Sequence, residues 1–77
     1  MDKNLVKKAF AQELRKARNA TGMSQEDLAE LAGLHRNYIS LLEMGERQPS
    51  ITTVFALSQA LGISGADLVT RVQAQLD

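Results

Sequence analysis

The sequence predicts an all-α domain of five helices, and three observations support this prediction. The 77 residues suffice for one domain, and no linker or internal repeat divides them. Apolar residues recur at intervals of three and four, whereas no segment alternates apolar and polar residues as a half-buried strand does. Serines precede several apolar segments and glycines follow them, which is typical of helix caps.

The first predicted helix extends from about Lys3 to Ala20, and Thr21 and Gly22 end it. Its apolar stripe consists of Val6, Phe10, Leu14 and Ala17. These residues follow the spacing i, i+4, i+8 and i+11. They therefore lie on one face of an α-helix, which can pack against a core.

The second predicted helix begins after Ser24, because Ser24 can cap it and Asp27, at the third helical position, can complete a capping box. Its predicted apolar face consists of Leu28, Leu31 and Ala32. Gly33 ends the helix, and only Leu34 and His35 separate this glycine from the next helical segment.

The third predicted helix, from Arg36 to Met44, forms a helix-turn-helix candidate with the second. The turn requires a residue that adopts positive φ, and Gly33 can do so. Ile39 and Leu42 are three residues apart and form the inner face. The predicted outer face consists of Arg36, Asn37, Ser40 and Leu41. In a helix-turn-helix, the N-terminal end of the second of the two helices contacts bases in the major groove.

The fourth helix is predicted from about Ile51 to Leu61 after the cap residue Ser50, and the fifth begins after Ser64. Together these helices carry more apolar residues than one small core requires. We therefore expect them to pair two copies of the chain across a two-fold axis. The third helices of the two copies, the recognition helices, would then lie about 34 Å apart along DNA. The residues predicted for this homodimer interface are Phe55, Leu68, Val69, Val72 and Leu76.

The composition excludes several kinds of site. The chain has no cysteine and one histidine, so it has neither a disulfide nor a thiolate zinc site, and no cluster of histidine ligands. There is no Gly-rich phosphate loop and no nucleophile paired with a base, so we expect neither an enzyme nor a cofactor or metal site. The longest apolar run covers residues 54–57, far below the roughly 18 residues of a membrane span. We expect a cytoplasmic, nucleoid-associated protein of a bacterium.

Charge is distributed unevenly along a chain whose formal net charge is zero. Residues 1–19 carry six cations against two acids, and residues 20–77 carry three cations against seven acids. Such a chain can present a basic face to phosphate while the remainder stays acidic. Affinity for nucleic acid would then depend on a few placed cations and not on overall charge.

These residues resemble the XRE, or phage-repressor/Cro-like, helix-turn-helix family. The resemblance extends from about Phe10 to Leu68. The segments that carry it are Met23–Ala29, Ala32–Leu34, Tyr38–Ser40 and Glu43–Gly45, followed by Arg47, Pro49 and Ser50. It implies a lambda-repressor-like fold and a sequence-specific regulator that binds double-stranded DNA. The chain also resembles the small controller proteins of restriction–modification systems, which are stand-alone dimeric regulators.

The predicted recognition residues each have a structural alternative. Arg36 lies where the positive end of the helix dipole disfavours a cation, which favours contact with guanine or phosphate over a solvated charge. Asn37 can read adenine or be a surface residue, and contact is favoured. Ser40 stays open between a DNA contact and a tolerated polar residue. Tyr38 can pack its ring and also direct its hydroxyl to phosphate, whereas His35 is a helix cap or phosphate neighbour.

The resemblance adds roles that the residues alone do not indicate. It implies a phosphate contact for Gln25 and a contact with the DNA backbone or groove for Arg47. It also implies a structural ion pair between Arg18, late in the first helix, and Glu43, at the end of the third. The remaining cations of the first helix are predicted to be a solvated basic face that adds non-specific attraction to phosphate: Lys7, Lys8, Arg15 and Lys16.

A second class of function uses the same fold. A protein-interaction module, such as the antitoxin of a toxin–antitoxin pair, generally needs a segment beyond the domain that neutralises its partner. Little of this sequence follows the start of the fifth helix, and this favours the regulator.

Overall fold

Five α-helices and no strand make up the structure, a computed structural model that describes residues 1–77. The helices are α1 (Lys3–Thr21), α2 (Gln25–Ala32), α3 (Arg36–Glu43), α4 (Ile51–Leu61) and α5 (Gly65–Leu76). The all-α prediction is confirmed, and the predicted ends of α1 and α3 each differ by one residue. No single helix is long and apolar enough to cross a membrane; α4 and α5 meet that criterion only as a pair, bent by 108°.

Serine side chains begin three of the helices, as the sequence predicts. The Ser24 hydroxyl accepts a hydrogen bond from the backbone N–H of Asp27, and the Asp27 carboxylate accepts one from the N–H of Ser24. Ser50 and Ser64 cap α4 and α5 through the N–H of the third helical residue. These bonds satisfy amide donors that a helix leaves free at its first turn.

The core lies where α1 packs against α3, α4 and α5, while α2 packs against α3 and α4. Six aliphatic side chains are fully buried there: Leu14, Leu28, Ile39, Leu42, Leu57 and Leu68. Each such side chain contributes roughly 1.5–3 kcal/mol relative to an exposed one. The inner face predicted for α3 is confirmed, because Ile39 and Leu42 both belong to this set.

A short turn fixes α3 against α2. Gly33 adopts a φ of 70°, and the N–H of Leu34 donates to the carbonyl of Ala29 across 2.9 Å. The Leu34 side chain is partly buried against the core. Positive φ at this position is strained for residues with a Cβ, so Gly33 allows the chain to reverse within two residues and start α3.

One predicted core residue is wrong. Leu31 is 65% exposed, and Ala29 is buried in its place. Successive residues of an α-helix are about 100° apart around its axis, so Leu28, Ala29 and Ala32 lie within one arc of roughly 100°. Leu31 lies roughly 110° from the middle of this arc. The apolar character of leucine, without this geometry, led to the wrong prediction.

Candidate nucleic-acid interface

An open depression of about 520 Å³ lies at the N-terminal end of α3. Its lining residues are His35, Arg36, Asn37, Tyr38, Leu41 and Arg47. All except Arg47 belong to α3 or its cap position, and Arg47 comes from the loop between α3 and α4. We call this surface the recognition groove. It brings together five of the seven residues predicted to contact DNA.

The start of α3 differs from the starts of the other helices. His35 occupies its N-cap position, as predicted, but makes no side-chain capping hydrogen bond. Oxygen atoms of Asp2, Ser24, Ser50 and Ser64 cap the other four helices. The first turn of α3 contains no acidic residue. Its free amide groups and its positive dipole end therefore remain available to an anion.

The cations of the recognition groove have no partner within the chain. Arg36 and Arg47 are exposed. The ion pairs of the structure are formed by Arg15, Lys16, Arg18 and Arg71. Tyr38 packs against the core, as predicted, and lines the groove, while its contact with phosphate stays a prediction. The groove is consequently a positively charged surface that also includes the side chains of Tyr38 and Leu41.

Two predicted contact residues lie outside the lining of the recognition groove. Ser40 is half-buried on α3. Gln25 begins α2, and its amide Nε2 donates to Oε1 of Glu43 across 3.2 Å. The carboxylate of Glu43 therefore holds the Gln25 side chain by its amide nitrogen, and the amide oxygen of Gln25 has no partner in the chain.

Glu43 is the centre of a buried charge cluster at the C-terminal end of α3. Arg18 donates through Nε to Oε2 at 2.7 Å and through Nη2 to Oε1 at 2.9 Å. The Glu43 side chain is 0% exposed and that of Arg18 is 14% exposed. Arg18 also donates through Nη1 to the carbonyl of Met23, 3.0 Å away. The ion pair implied by the family resemblance is therefore present, with two-point geometry.

The cluster favours the ionised form of Glu43. Burial alone raises the pKa of this carboxyl, but hydrogen bonds from Arg18 and Gln25 and the charges of Arg18 and Arg15 outweigh burial. The pKa of Glu43 therefore lies below its usual value of 4.5. The hydrogen bonds that Arg18 donates to Glu43 raise the pKa of Arg18 as well. Both groups are charged throughout the physiological range.

The sequence interpretation missed part of this cluster. Arg15, assigned to the solvated basic face, lies with Nε 3.6 Å from Oε1 of Glu43 and donates through Nη2 to the Glu43 carbonyl. The spacing of Arg15 and Arg18 by three residues, which places both on one side of α1, was the available signal. Lys16 similarly pairs with Glu13 at 3.2 Å, and Gln75 of α5 also donates to this carboxylate.

The residues predicted for the dimer interface divide into two groups. Leu68 and Val72 are buried in the core of the single chain, so they offer no surface to a second copy. Phe55 and Val69 are 58% and 48% exposed. Leu76 is half-buried, and Ile51, which the prediction did not include, is exposed and shares an apolar groove with Val69. We call Ile51, Phe55 and Val69 the apolar face.

No group of three or more acidic or histidine side chains is placed to hold a metal ion.

Comparisons with known proteins agree with this geometry. A helix-turn-helix family model matches residues 14–68. Control protein C.SmaI of Serratia marcescens is 42% identical over 66 residues, which are 86% of this chain and 79% of that protein. The restriction-modification controller protein C.AhdI from Aeromonas hydrophila superposes with a TM-score of 0.78 at 42% identity, over 80% of this chain and 94% of the other.

A further solved relative includes DNA. The restriction-modification controller protein C.Esp1396I, a tetramer in complex with its natural 35 base-pair operator, superposes with a TM-score of 0.84. It is 27% identical and covers 92% of this chain and 93% of the other. The resemblance to controller proteins that the sequence indicates is thereby confirmed.

Proposed function

The chain belongs to the XRE-type helix-turn-helix family of DNA-binding transcription regulators, and we propose on this basis that it binds a pseudo-palindromic operator as a homodimer. The observation that carries this proposal is the recognition groove, where unpaired cations and an uncapped helix start share one exposed surface. The proposed orientation places α3 in the major groove with its N-terminal end toward the bases.

Arg36 and Asn37 are the proposed base-reading residues. Both are exposed at the first turn of α3. A guanidinium can donate two hydrogen bonds to guanine O6 and N7, and an amide side chain can pair with adenine N6 and N7. Ser40, half-buried one turn further along α3, is a candidate for one additional contact to a base or phosphate.

The proposed phosphate contacts surround the base-reading residues. Arg47 and the hydroxyl of Tyr38 lie at the recognition groove, and His35 borders it at the helix cap. Gln25 contributes from the start of α2, where Glu43 holds its amide group. Anions are also favoured by the free amide groups at the first turn of α3.

The proposed dimer forms through the apolar face. Isolated exposed apolar residues are ordinary, but Ile51 and Val69 line one apolar groove, and the ring of Phe55 lies against Gly65 at the start of α5. A two-fold axis through this surface pairs it with itself. Two copies then present two recognition helices to successive major grooves, about 34 Å apart. The tetrameric relative on its operator supports assembly on DNA.

The proposed activity is regulatory and not enzymatic. Bound near a promoter, such a dimer blocks or recruits polymerase according to the position of its operator. The chain needs no cofactor for this role, and its buried charges are all engaged in structural pairs.

Selection of bound sites from a random duplex library, at about physiological salt, tests the proposal. We expect an inverted repeat with half-sites separated by about one helical turn. The variant R36A should lose the enriched motif, and R71A, which removes an exposed arginine from α5, should keep it. A folded protein that enriches no motif would contradict the proposal and favour a protein-interaction module. Sedimentation as a monomer at tens of micromolar, with and without operator, would contradict the dimer.

A further inference from the structure

The N-terminal end of α1 carries a second basic surface, separate from the recognition groove. Lys3 and Lys7, one helical turn apart, line an open depression of about 620 Å³ together with Met1, Val6 and Gln48. Neither lysine forms an ion pair, since the ion pairs of the structure involve other cations. The depression has no acidic lining residue. We call Lys3, Lys7 and Gln48 the lysine surface.

The position of the lysine surface follows from the loop between α3 and α4. Arg47 lines the recognition groove, and the next residue, Gln48, lines the lysine surface. Gln48 and Val6 also border an apolar groove that includes Ile51 and Val69. The lysine surface therefore lies between the recognition groove and the apolar face proposed for the dimer.

The contact between α1 and this loop is close. Gly45 adopts a φ of 74°, and a Cβ at this position would lie 3.8 Å from Cα and Cγ of Lys8. The turn after α3 thus lies directly against the chain segment that carries the lysines. This packing holds the start of the loop that carries Arg47 against α1.

We propose that Lys3 and Lys7 bind phosphates of the spacer DNA between the two half-sites. The inference rests on the proposed dimer, because two copies that meet at their apolar faces bring their lysine surfaces to the two sides of the two-fold axis. The DNA beneath that axis is the spacer, which the recognition helices do not read. Lysine ammonium groups suit this role, since they bind phosphate as compact charges without reading base edges.

The contribution expected from these lysines is insensitive to base sequence but sensitive to salt. Each neutralised phosphate adds about 0.9 to the slope of log K against log salt for duplex DNA. Two lysines on each of two copies can therefore contribute up to about 3.6 to that slope. The spacer sequence would affect binding only through its shape.

The test compares two double variants on the selected operator. K3Q/K7Q removes the proposed contacts, whereas K16Q/R71Q removes the same charge from exposed positions elsewhere. Binding is measured by fluorescence anisotropy between 50 and 300 mM salt. We expect K3Q/K7Q to weaken binding roughly tenfold and to lower the salt slope by about 2 or more, with a clearly smaller change for K16Q/R71Q. Circular dichroism of each variant checks that the fold is retained.

Operators with neutral methylphosphonate linkages locate the contact. In the spacer, these linkages should weaken binding of the wild type and remove most of its advantage over K3Q/K7Q. The inference would be overturned if methylphosphonates outside the half-sites, and not those in the spacer, removed the difference between the wild type and K3Q/K7Q. It would also be overturned if both double variants lost the same amount of affinity. In either case the operator would still be bound. If the wild-type chain binds no operator, the inference and the proposed function both fail, and the library selection identifies this case.

Discussion

Arg18 and Arg36 carry the same charge, yet they differ in burial, in hydrogen-bond partners and in their position relative to a helix dipole. Arg18 is largely buried, and it donates to both oxygens of Glu43 and to a backbone carbonyl. Arg36 is exposed, lies at the unfavourable end of a helix dipole and has no partner in the chain. One arginine completes the folded state, whereas the other is left for something outside it.

The contrast separates structural charges from binding charges. A buried ion whose partner is removed leaves the other ion uncompensated, so the cost appears in the free energy of unfolding. An exposed ion without a partner contributes little to that free energy, and its removal affects only what it binds. Paired variants at the two sites should therefore change different measurements.

The largest effect is expected from R18M. Glu43 would retain only Gln25 and Arg15, and the free energy of unfolding should fall by about 3 kcal/mol. Urea denaturation followed by circular dichroism measures this loss. R71M is the control, because it breaks an exposed pair with Asp67 at 2.8 Å and should cost less than about 1 kcal/mol. A double-mutant cycle of R18M and E43Q without coupling would falsify the structural pair.

The second effect concerns R36A, which should weaken operator binding by about 1–3 kcal/mol, or roughly 5- to 150-fold. Its free energy of unfolding should stay within about 0.5 kcal/mol of the wild type or rise, since a cation leaves the positive end of α3. Anisotropy titration and urea denaturation of the same preparation provide both values. A loss of stability as large as that of R18M would remove the distinction between the two arginines.

A smaller difference is expected between the starts of α2 and α3. S24A removes a hydroxyl that caps the N–H of Asp27, and it should cost about 1 kcal/mol of stability. H35A removes a cap residue without a side-chain hydrogen bond, and the change should stay below about 0.5 kcal/mol. Thermal unfolding of the two variants compares them directly. Equal losses would mean that the start of α3 is capped in solution.

The last prediction concerns acid pH and depends on Glu43 and Glu13, whose pKa values both lie below 4.5. A carboxyl with a lower pKa in the folded state contributes stability that is complete above the unfolded value. This stability is lost as the pH falls through the folded pKa. The urea midpoint should therefore decline below about pH 4.5, and less steeply for E43Q. Equally steep declines of the urea midpoint in the wild type and in E43Q would exclude Glu43 as a source of this pH dependence.

Sequence reasoning identified the fold because helix starts and ends are local. Ser24, Ser50 and Ser64 cap the helices that their positions predict. Arg18 and Glu43 were paired only through the family resemblance, since they are 25 residues apart. Arg15 was misassigned because its partner Glu43 lies on another helix, whereas the error at Leu31 could have been avoided from the 100° spacing of residues within α2. The contacts with DNA and between copies stay predictions.

The carboxylate of Glu43 joins α1, α2 and α3 at one buried point, and this has a mechanical consequence. A change in the tilt of α3 would break some of these hydrogen bonds at the buried carboxylate. If α3 keeps its tilt when the protein binds, the DNA has to adjust its shape, so the elastic deformation occurs in the duplex. Among operators with identical contacted bases, those whose central steps bend and twist easily should bind more tightly than stiff ones. The stiffness of the protein would thereby make DNA flexibility part of the code that it reads.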